Sequence, residues 1–383
     1  MTFQKLLIKD CCTIVSGSTP RTDIPEYWNG DILWATPKDL SDRNCQYIAE
    51  TNSKITQEGF NSCSTSLLPP YSVLLSSRAP IGLVAVNTVP MCTNQGFKSL
   101  IPDSNKVYYK YLYYWLLYKK EYLQSLGNGA TFKELSKNSF ERVEIQLPSV
   151  TEQKRIAAIL DKAEEIKRKR EESLKLADEF LKSVFVDMFG DPVTNPKGWE
   201  MKTAIDFAQC IVPGRDKPKS FSGGIPWVTT NDLKHLGYTS ESHIGLADNE
   251  IQEVRARIIP ENSVIITCVG DLGIATISKV KMVINQQLHA FQCKENMNNI
   301  FFMYAISFQK SYMYSRATKT TVPYMNKSVC NSIPMIYPPA HLQQKFANIF
   351  EVVNSQRELM SKSFNYTTSI FSSLSHYAFR GKI

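Results

Sequence analysis

Five histidines, His235, His243, His289, His341 and His376, are the residues of this 383-residue chain best suited to proton transfer or metal ligation near neutral pH. They are scattered, and none forms with its neighbours the spacing of a ligand set or of a nucleophile and its base. The sequence holds no Gly-x-x-x-x-Gly-Lys-Ser/Thr loop, no Gly-x-Gly-x-x-Gly turn and no His-Glu-x-x-His. Nucleotide hydrolysis, dinucleotide redox chemistry and zinc hydrolysis therefore lack support. Nine cysteines, odd in number and without Cys-x-x-Cys spacing, read as reduced thiols and not as a disulfide framework or a zinc site.

Leu68-Pro69-Pro70-Tyr71 has the outline of the loop with which amino-methyltransferases hold a flipped base. Those enzymes need Asp, Asn or Ser at the first position to accept a hydrogen bond from the exocyclic amine, and Leu68 cannot. A turn before a strand is the reading that remains. Polyanion binding has broader support. Lys and Arg outnumber Asp and Glu, 44 to 36, for a net charge of +8. Between residues 151 and 180 the two signs are equal in number, so Lys167-Arg168-Lys169-Arg170, with Glu164, Glu165, Glu171 and Glu172 nearby, reads as a solvated helix face. The excess lies in small-residue loops: Ser16-Gly17-Ser18-Thr19-Pro20-Arg21, Ser77-Arg78, Gly127-Asn128-Gly129-Ala130-Thr131-Phe132-Lys133, Gly214-Arg215-Asp216-Lys217-Pro218-Lys219 and Lys319-Thr320-Thr321. Small side chains let the backbone approach phosphate, and an adjacent cation can neutralise it or reach a guanine edge.

These loops recur because the chain is duplicated. Gly30, Ile32, Trp34, Thr36, Asp39 and Leu40 return as Gly223, Ile225, Trp227, Thr229, Asp232 and Leu233, at an offset of 193. Further on, Ser72-Val73 matches Ser263-Val264, Gly82 matches Gly273, and Asn94-Gln95 matches Asn285-Gln286, all at an offset of 191. The same offset pairs Tyr113 with Tyr304, Lys119 with Lys310 and Gln153 with Gln344. Each copy reads as short strands, an aromatic helix (108–122 and 300–313) packed into a core, a proline turn and a long helix. The first long helix, about 152–188, carries Ile156, Leu160, Ala163, Leu174, Ala177, Leu181, Val184 and Met188 at 3-4 spacing. The second carries Phe346, Ile349, Val353, Met360, Phe364, Ile370, Phe371 and Leu374. A rod of ~55 Å must be covered along its length, and its own repeat is the natural partner. The fold class expected is α+β: two tandem pseudo-symmetric α+β domains separated by two long helices that form an intramolecular antiparallel coiled coil. Boundaries follow as 1–148, 149–190, 191–338 and 339–383. Phe180 and Phe185, large residues that one seam cannot bury together, are expected on outer helix faces, available to a partner.

Leu147-Pro148-Ser149-Val150-Thr151-Glu152-Gln153-Lys154-Arg155-Ile156 and the later Met188-Phe189-Gly190-Asp191-Pro192 resemble the bounds of the first conserved helical region in specificity (S) subunits of type I restriction-modification systems. Gln343-Gln344-Lys345-Phe346 and Ala378-Phe379-Arg380-Gly381-Lys382-Ile383 are similar to the second. Ser149 stands where the family often has a second Pro, and the second helix lacks the Glu-Gln pair at its start. The resemblance implies a non-catalytic DNA-recognition subunit with two target-recognition domains, each reading half of a split asymmetric double-stranded DNA site. The helices would set the spacer and dock two modification (methyltransferase) subunits. S-adenosylmethionine binding and adenine methylation would belong to those subunits, and ATP-driven translocation and cleavage to restriction subunits, so no cofactor is expected on this chain. The DNA-contacting candidates are Arg21, Lys38, Arg78, Lys98, Asn128 and Lys133 in the first copy, and Arg215, Lys217, Lys219, Lys234, Lys319 and Lys327 in the second. A self-sufficient DNA adenine methyltransferase, or a coiled-coil scaffold without DNA affinity, are the rival readings. No apolar stretch approaches the ~18 residues that cross a bilayer, and the polar start lacks the layout of a signal peptide, so a cytoplasmic, membrane-free protein is expected.

Overall fold

The structure, a computed structural model, describes residues 3–43, 46–78, 80–129, 133–214, 216–233, 236–318 and 321–382. The chain divides into two compact units, Met1–Lys169 with Phe364–Ile383, and Arg170–Ser363. Both are α+β, and both build the same sheet. In the first unit the five-stranded order is Cys12–Ser16, Lys98–Pro102, Val73–Leu75, Val84–Asn87 and Tyr47–Ile48, antiparallel except for the last pair. In the second unit the order is Ala208–Ile211, Leu288–Cys293, Val264–Thr267, Ala275–Ser278 and Tyr238–Thr239, with the same exception. Ser53–Ile55, Trp28–Ala35 and Cys92–Thr93 form a second sheet in the first unit, and its counterpart in the second gains Ile258–Ile259 as a fourth strand.

The central strands are apolar throughout because both of their faces are covered. Val73 and Leu75 point to the side of the aromatic helix Tyr109–Tyr118, while Leu74 packs with Ala35, Ala85, Met91 and Phe97 on the other side. Val264 and Ile266 against Ile265 repeat this alternation. Tyr111, Tyr113 and Tyr114 are buried, so the middle of the tyrosine cluster packs the core.

The long helices run Val150–Phe189 and Ala340–Ala378. Within the second unit Phe185 meets Phe346, Asp178 meets Arg357 and Arg170 meets the Ser363 carbonyl. One set of numbers falls as the other rises, so the two helices pack antiparallel. Many seam residues belong equally to the domain cores: Ile156 and Leu160 join the first, and Leu181, Phe346 and Phe350 the second. The middle of the pair is polar, contrary to the apolar seam expected from spacing. Arg357 is buried there, its guanidinium donating to Asp178 at 2.8 Å, the Leu236 carbonyl at 2.9 Å and Asn354 at 2.7 Å, while Met360 and Ile370 face solvent. Among the described residues no helix is long and apolar enough to cross a membrane.

The repeat holds its 191-residue offset through Leu100 and Phe291, which pair with Val73 and Val264 respectively. It then loses one residue in the turn before the aromatic helix. Tyr108 and Asn298, 190 apart, are the equivalent N-caps. The later equivalences are therefore Tyr114 with Tyr304, Lys120 with Lys310, and Gln153 with Gln343 in place of Gln344. Both glutamines are buried and bonded alike. Gln153 Oε1 accepts from Tyr108 N at 2.8 Å, and its Nε2 donates to the Lys106 and Pro148 carbonyls. Gln343 Oε1 accepts from Asn298 N at 3.0 Å, and its Nε2 donates to the Pro338 carbonyl. The second helix still lacks the Glu of a Glu-Gln pair, Leu342 standing before Gln343, but Gln343 does the work of Gln153. Replacing Gln153 by Ala strands one buried amide and two carbonyls, and urea denaturation should show a loss of about 2–4 kcal/mol. Gln344→Ala, on the exposed neighbouring position, should change stability by less than about 0.5 kcal/mol.

Candidate nucleic-acid interface

One end of each five-stranded sheet gathers the small-residue loops. In the first unit Ser16 pairs with Lys98, and the next two residues fold over the adjacent turn, Ser18 N donating to the Thr93 carbonyl at 3.0 Å. Gly17 is required there, because a Cβ would lie 2.0 Å from the Asn94 carbonyl oxygen. Ser77 N donates to Gly96 O, Leu135 N donates to Ser77 O, and Asn128 and Glu134 exchange two backbone bonds. Residues 16–18, 77–78, 93–98, 128 and 134–135 are thereby one hydrogen-bonded surface.

The second unit repeats these links. Cys268 N donates to Gln287 O, Met325 N donates to Cys268 O, and Val269 bridges Tyr324. In both units an Asx turn closes the tip: Asn94 Oδ1 accepts from Gly96 N at 2.9 Å, and Asn285 Oδ1 from Gln287 N at 3.1 Å.

The candidate cations fall on or beside this surface in different states. Lys38 and Lys133 are exposed, Arg78 is half-buried beside Glu134, and Asn128 is exposed with its backbone in the bridge. Arg21 is exposed but held by Asp23 at 2.7 Å. Lys98 is only 7% exposed and paired with Glu134 at 3.4 Å, so it anchors the surface more than it projects from it. Lys217, Lys219 and Lys327 are exposed. The loop carrying the first two is pinned by Glu250, whose carboxyl is held down at about 2 by hydrogen bonds from the Ser220 hydroxyl and the Ala247 and Ser222 amides. Arg215, Lys234 and Lys319 lie outside the described residues.

The two phenylalanines separate. Phe180 is 52% exposed, in keeping with an outer face. Phe185 is fully buried, stacked on Phe301, Tyr304 and Phe308 and edge-on to Phe346, so the expectation that it faces a partner is corrected. A helix that packs on a domain as well as on its partner has a second buried stripe, and Phe185 fills it. Sequence reasoning gave no role to Glu134, and paired Gln153 with Gln344 where the structure matches it with Gln343.

Leu68 does not hold a base. Leu68 is buried and bridged to Met91, and Tyr71 takes a left-handed φ of 65° in the turn before Val73–Leu75. Asn262, its equivalent, takes 62° without either proline. Pro69-Pro70-Tyr71 is a turn that the repeat builds twice. Among the described residues no group of three His, Cys, Asp or Glu side chains could hold a metal ion.

Two sheet ends built from the same backbone bonds, with exposed lysines beside them and long helices that pack antiparallel, are an arrangement suited to a polyanionic partner. The sequence profile of the type I restriction modification DNA specificity domain matches residues 2–176 and again 196–365. The specificity subunit of the type I restriction enzyme MjaIX of Methanocaldococcus jannaschii is 34% identical over 386 residues, covering 92% of this chain and 88% of that one. That of EcoR124I/EcoR124II from Escherichia coli is 30% identical over 153 residues, 38% of this chain and 37% of that one. The crystal structure of the S subunit from M. genitalium superposes with a TM-score of 0.59 at 14% identity, over 99% of this chain and 96% of that one. The chain belongs to the family of type I restriction-modification DNA specificity subunits, the non-catalytic members of those systems.

His289, equivalent to Lys98, offers a probe of this surface. Burial first, and Lys327 second, lower its pKa from 6.5 to about 4, and its Nδ1 lies 3.1 Å from Cys330 Sγ. The unfolded chain therefore takes up the proton before the folded one. Its contribution is intact above pH 6.5 and is lost as pH falls towards 4. Between pH 7.5 and 5 stability should drop by about 2 kcal/mol from this residue alone. Urea denaturation of His289→Gln at both pH values should show that portion of the drop removed.

Proposed function

We propose that the two units read the two halves of a bipartite, asymmetric double-stranded DNA site for a type I restriction-modification complex. Residues 1–148 and 191–338 are the readers. Residues 149–190 and 339–383 are the helical spacer, which sets the separation of the half-sites and docks two modification (methyltransferase) subunits, with restriction (ATP-dependent translocase and nuclease) subunits joining that assembly. The observation that carries this reading is the sheet end built twice from the same backbone bonds and faced with different side chains. Half-buried Arg78 becomes Val269, and Glu134 becomes the exposed Tyr324. A common frame with different facing groups is what two different half-sites require.

Exposed apolar residues on the helices supply the docking surface. Leu176 and Phe180, and Val352 and Leu359, sit one and two turns apart, exposed by 57%, 52%, 67% and 60%. Phe180→Asp should weaken co-elution with the modification subunit by about tenfold or more in size-exclusion titrations, with unchanged circular dichroism. Undiminished assembly would count against this surface. Exchanging residues 201–337 for the equivalent segment of a related subunit should change one half of the methylated motif and leave the other half and the spacer length alone. Both halves changing together would sink the two-reader reading. The isolated chain should bind DNA with an affinity that falls steeply with salt and should transfer no methyl group.

A further inference from the structure

Three tyrosines of the first unit stand where the fold is better served by other residues. Tyr71 takes its left-handed φ of 65° in a turn that Asn262 builds at 62°, and asparagine is at ease there while an aromatic residue is strained. Tyr108 occupies the N-cap of the aromatic helix without capping it, whereas Asn298 Oδ1 accepts from Ile300 N at 2.9 Å and Phe301 N at 3.2 Å. Tyr109 stands in the place of Asn299, whose Oδ1 also accepts from Ile300 N. The rings form one group: the Tyr109 centroid lies 5.0 Å from that of Tyr71 and 4.8 Å from that of Tyr108, and Tyr71 is 51% exposed. With Pro102, Val150 and Lys154 they line a cavity of about 370 Å³. Lys154 is the one charged residue of that lining. Its Nζ lies 5.8 Å over the Tyr108 ring, and among the described residues it has no carboxylate partner. The second unit has a cavity of about 360 Å³ at the equivalent place, but it is lined by Asn262, Asn298, Asn299 and Gln344 and carries Glu295.

We infer that the first cavity is a binding site for a free nucleoside monophosphate, one per chain. The exposed face of Tyr71 adds a platform to the group of rings, and every nucleobase has a flat π-face to lay on it. A single unpaired ammonium suits a single phosphate group. The volume falls in the range of small-molecule sites, ~300–1,000 Å³. DNA on the reading loops does not reach this place, which is the other end of the same sheet. Lys98–Pro102 starts among those loops and finishes in the cavity, and the antiparallel Val73–Leu75 leaves the cavity at Ser72 to reach them at Ser77. About 17 Å of strand separates the two ends. Glu295 and the amides of the second cavity offer neither the ring platform nor the cation, so the site is not duplicated.

The test is isothermal titration of the full chain with AMP, GMP, CMP and UMP, each compared with its nucleoside and with inorganic phosphate. At least one monophosphate should saturate a single site per chain, about tenfold or more tighter than inorganic phosphate. Tyr71→Asn, the residue type that the repeat already uses in this turn, should weaken binding by about tenfold or more. Lys154→Gln, likewise taken from the second copy, should weaken the nucleotide by about fivefold or more and leave its nucleoside unchanged. Saturating duplex DNA should leave the nucleotide affinity unaltered. Melting temperatures matching the wild type show each variant folded, and Lys154→Gln, on an exposed helix position, stands in where Tyr71→Asn fails to fold. Failure of all four nucleotides to saturate at millimolar concentration, two sites per chain, displacement by DNA, or folded variants that bind like the wild type would overturn the inference. None of these outcomes bears on the two-reader function, which rests on the other end of the sheet.

Discussion

Everything outward of the helix pair depends on one buried carboxamide per unit. Where each long helix begins, the chain has just left a short strand through proline, and the carbonyl of that proline has no partner in the helix that follows. Gln153 bonds to it, and at the same time to the first amide of the aromatic helix and to the carbonyl of Lys106. Gln343 makes the corresponding bonds to Pro338 and Asn298. Because both ends of the amide are used and buried, rotation of the domain about its helix would break these bonds in water-free surroundings, where they are costly to lose. A reading surface at the far end of a sheet is only as well placed as this junction.

The junction is reinforced by carboxylates, and here the copies differ. Asp161 accepts from Lys110, Tyr114 and Gln46 in the first unit. Burial opposes the charge on Lys110, but Asp161 and Tyr47 outweigh it and raise the ammonium's pKa. At the same turn of the second helix Glu351 accepts from the Tyr238 hydroxyl, while Lys279, 4.8 Å over the Tyr238 ring, pairs with Glu358. An ion pair in one unit and a phenol-carboxylate bond in the other fix the same edge strand. The shared requirement is attachment of that edge, and several chemistries satisfy it.

Much of this was legible in the sequence because duplication is a strong signal and apolar periodicity is a local one. Val73-Leu74-Leu75 and Val264-Ile265-Ile266 identify themselves as covered strands, and the 3-4 spacing from Ile156 onward identifies a long helix. The one-residue deletion before the aromatic helix was not legible, since Tyr113, Tyr114 and Tyr304 align at either offset and only the N-cap geometry chooses. The buried Arg357 was also hidden. Spacing predicts which face is turned inward but not that a guanidinium can lie there with Asp178, Asn354 and the Leu236 carbonyl around it. Phe185 was misplaced for a related reason: helical periodicity counts one buried stripe, and a helix gripped from two sides has two. Composition placed the positive excess in small-residue loops of the two units, but which cations project and which, like Lys98, are neutralised is a matter of distance.

The separation of frame from facing groups explains how such a chain can change what it reads without unfolding. The apolar clusters that hold each sheet lie at its centre and under its aromatic helix, and they contain none of Arg78, Gln95, Asn128 or Lys133. The links at the sheet end run through backbone atoms, as from Ser77 N to Gly96 O and from Cys268 N to Gln287 O, so they survive a change of side chain. Exposed substitutions of this kind usually cost less than ~0.5 kcal/mol, whereas a wrong base contact costs ~1–3 kcal/mol in discrimination. Stability and specificity therefore draw on different atoms. The same partition limits drift at Gln153 and Gln343, which are buried with each of their bonds needed, so these two positions must stay alike in both copies while exposed positions of the sheet end can diverge.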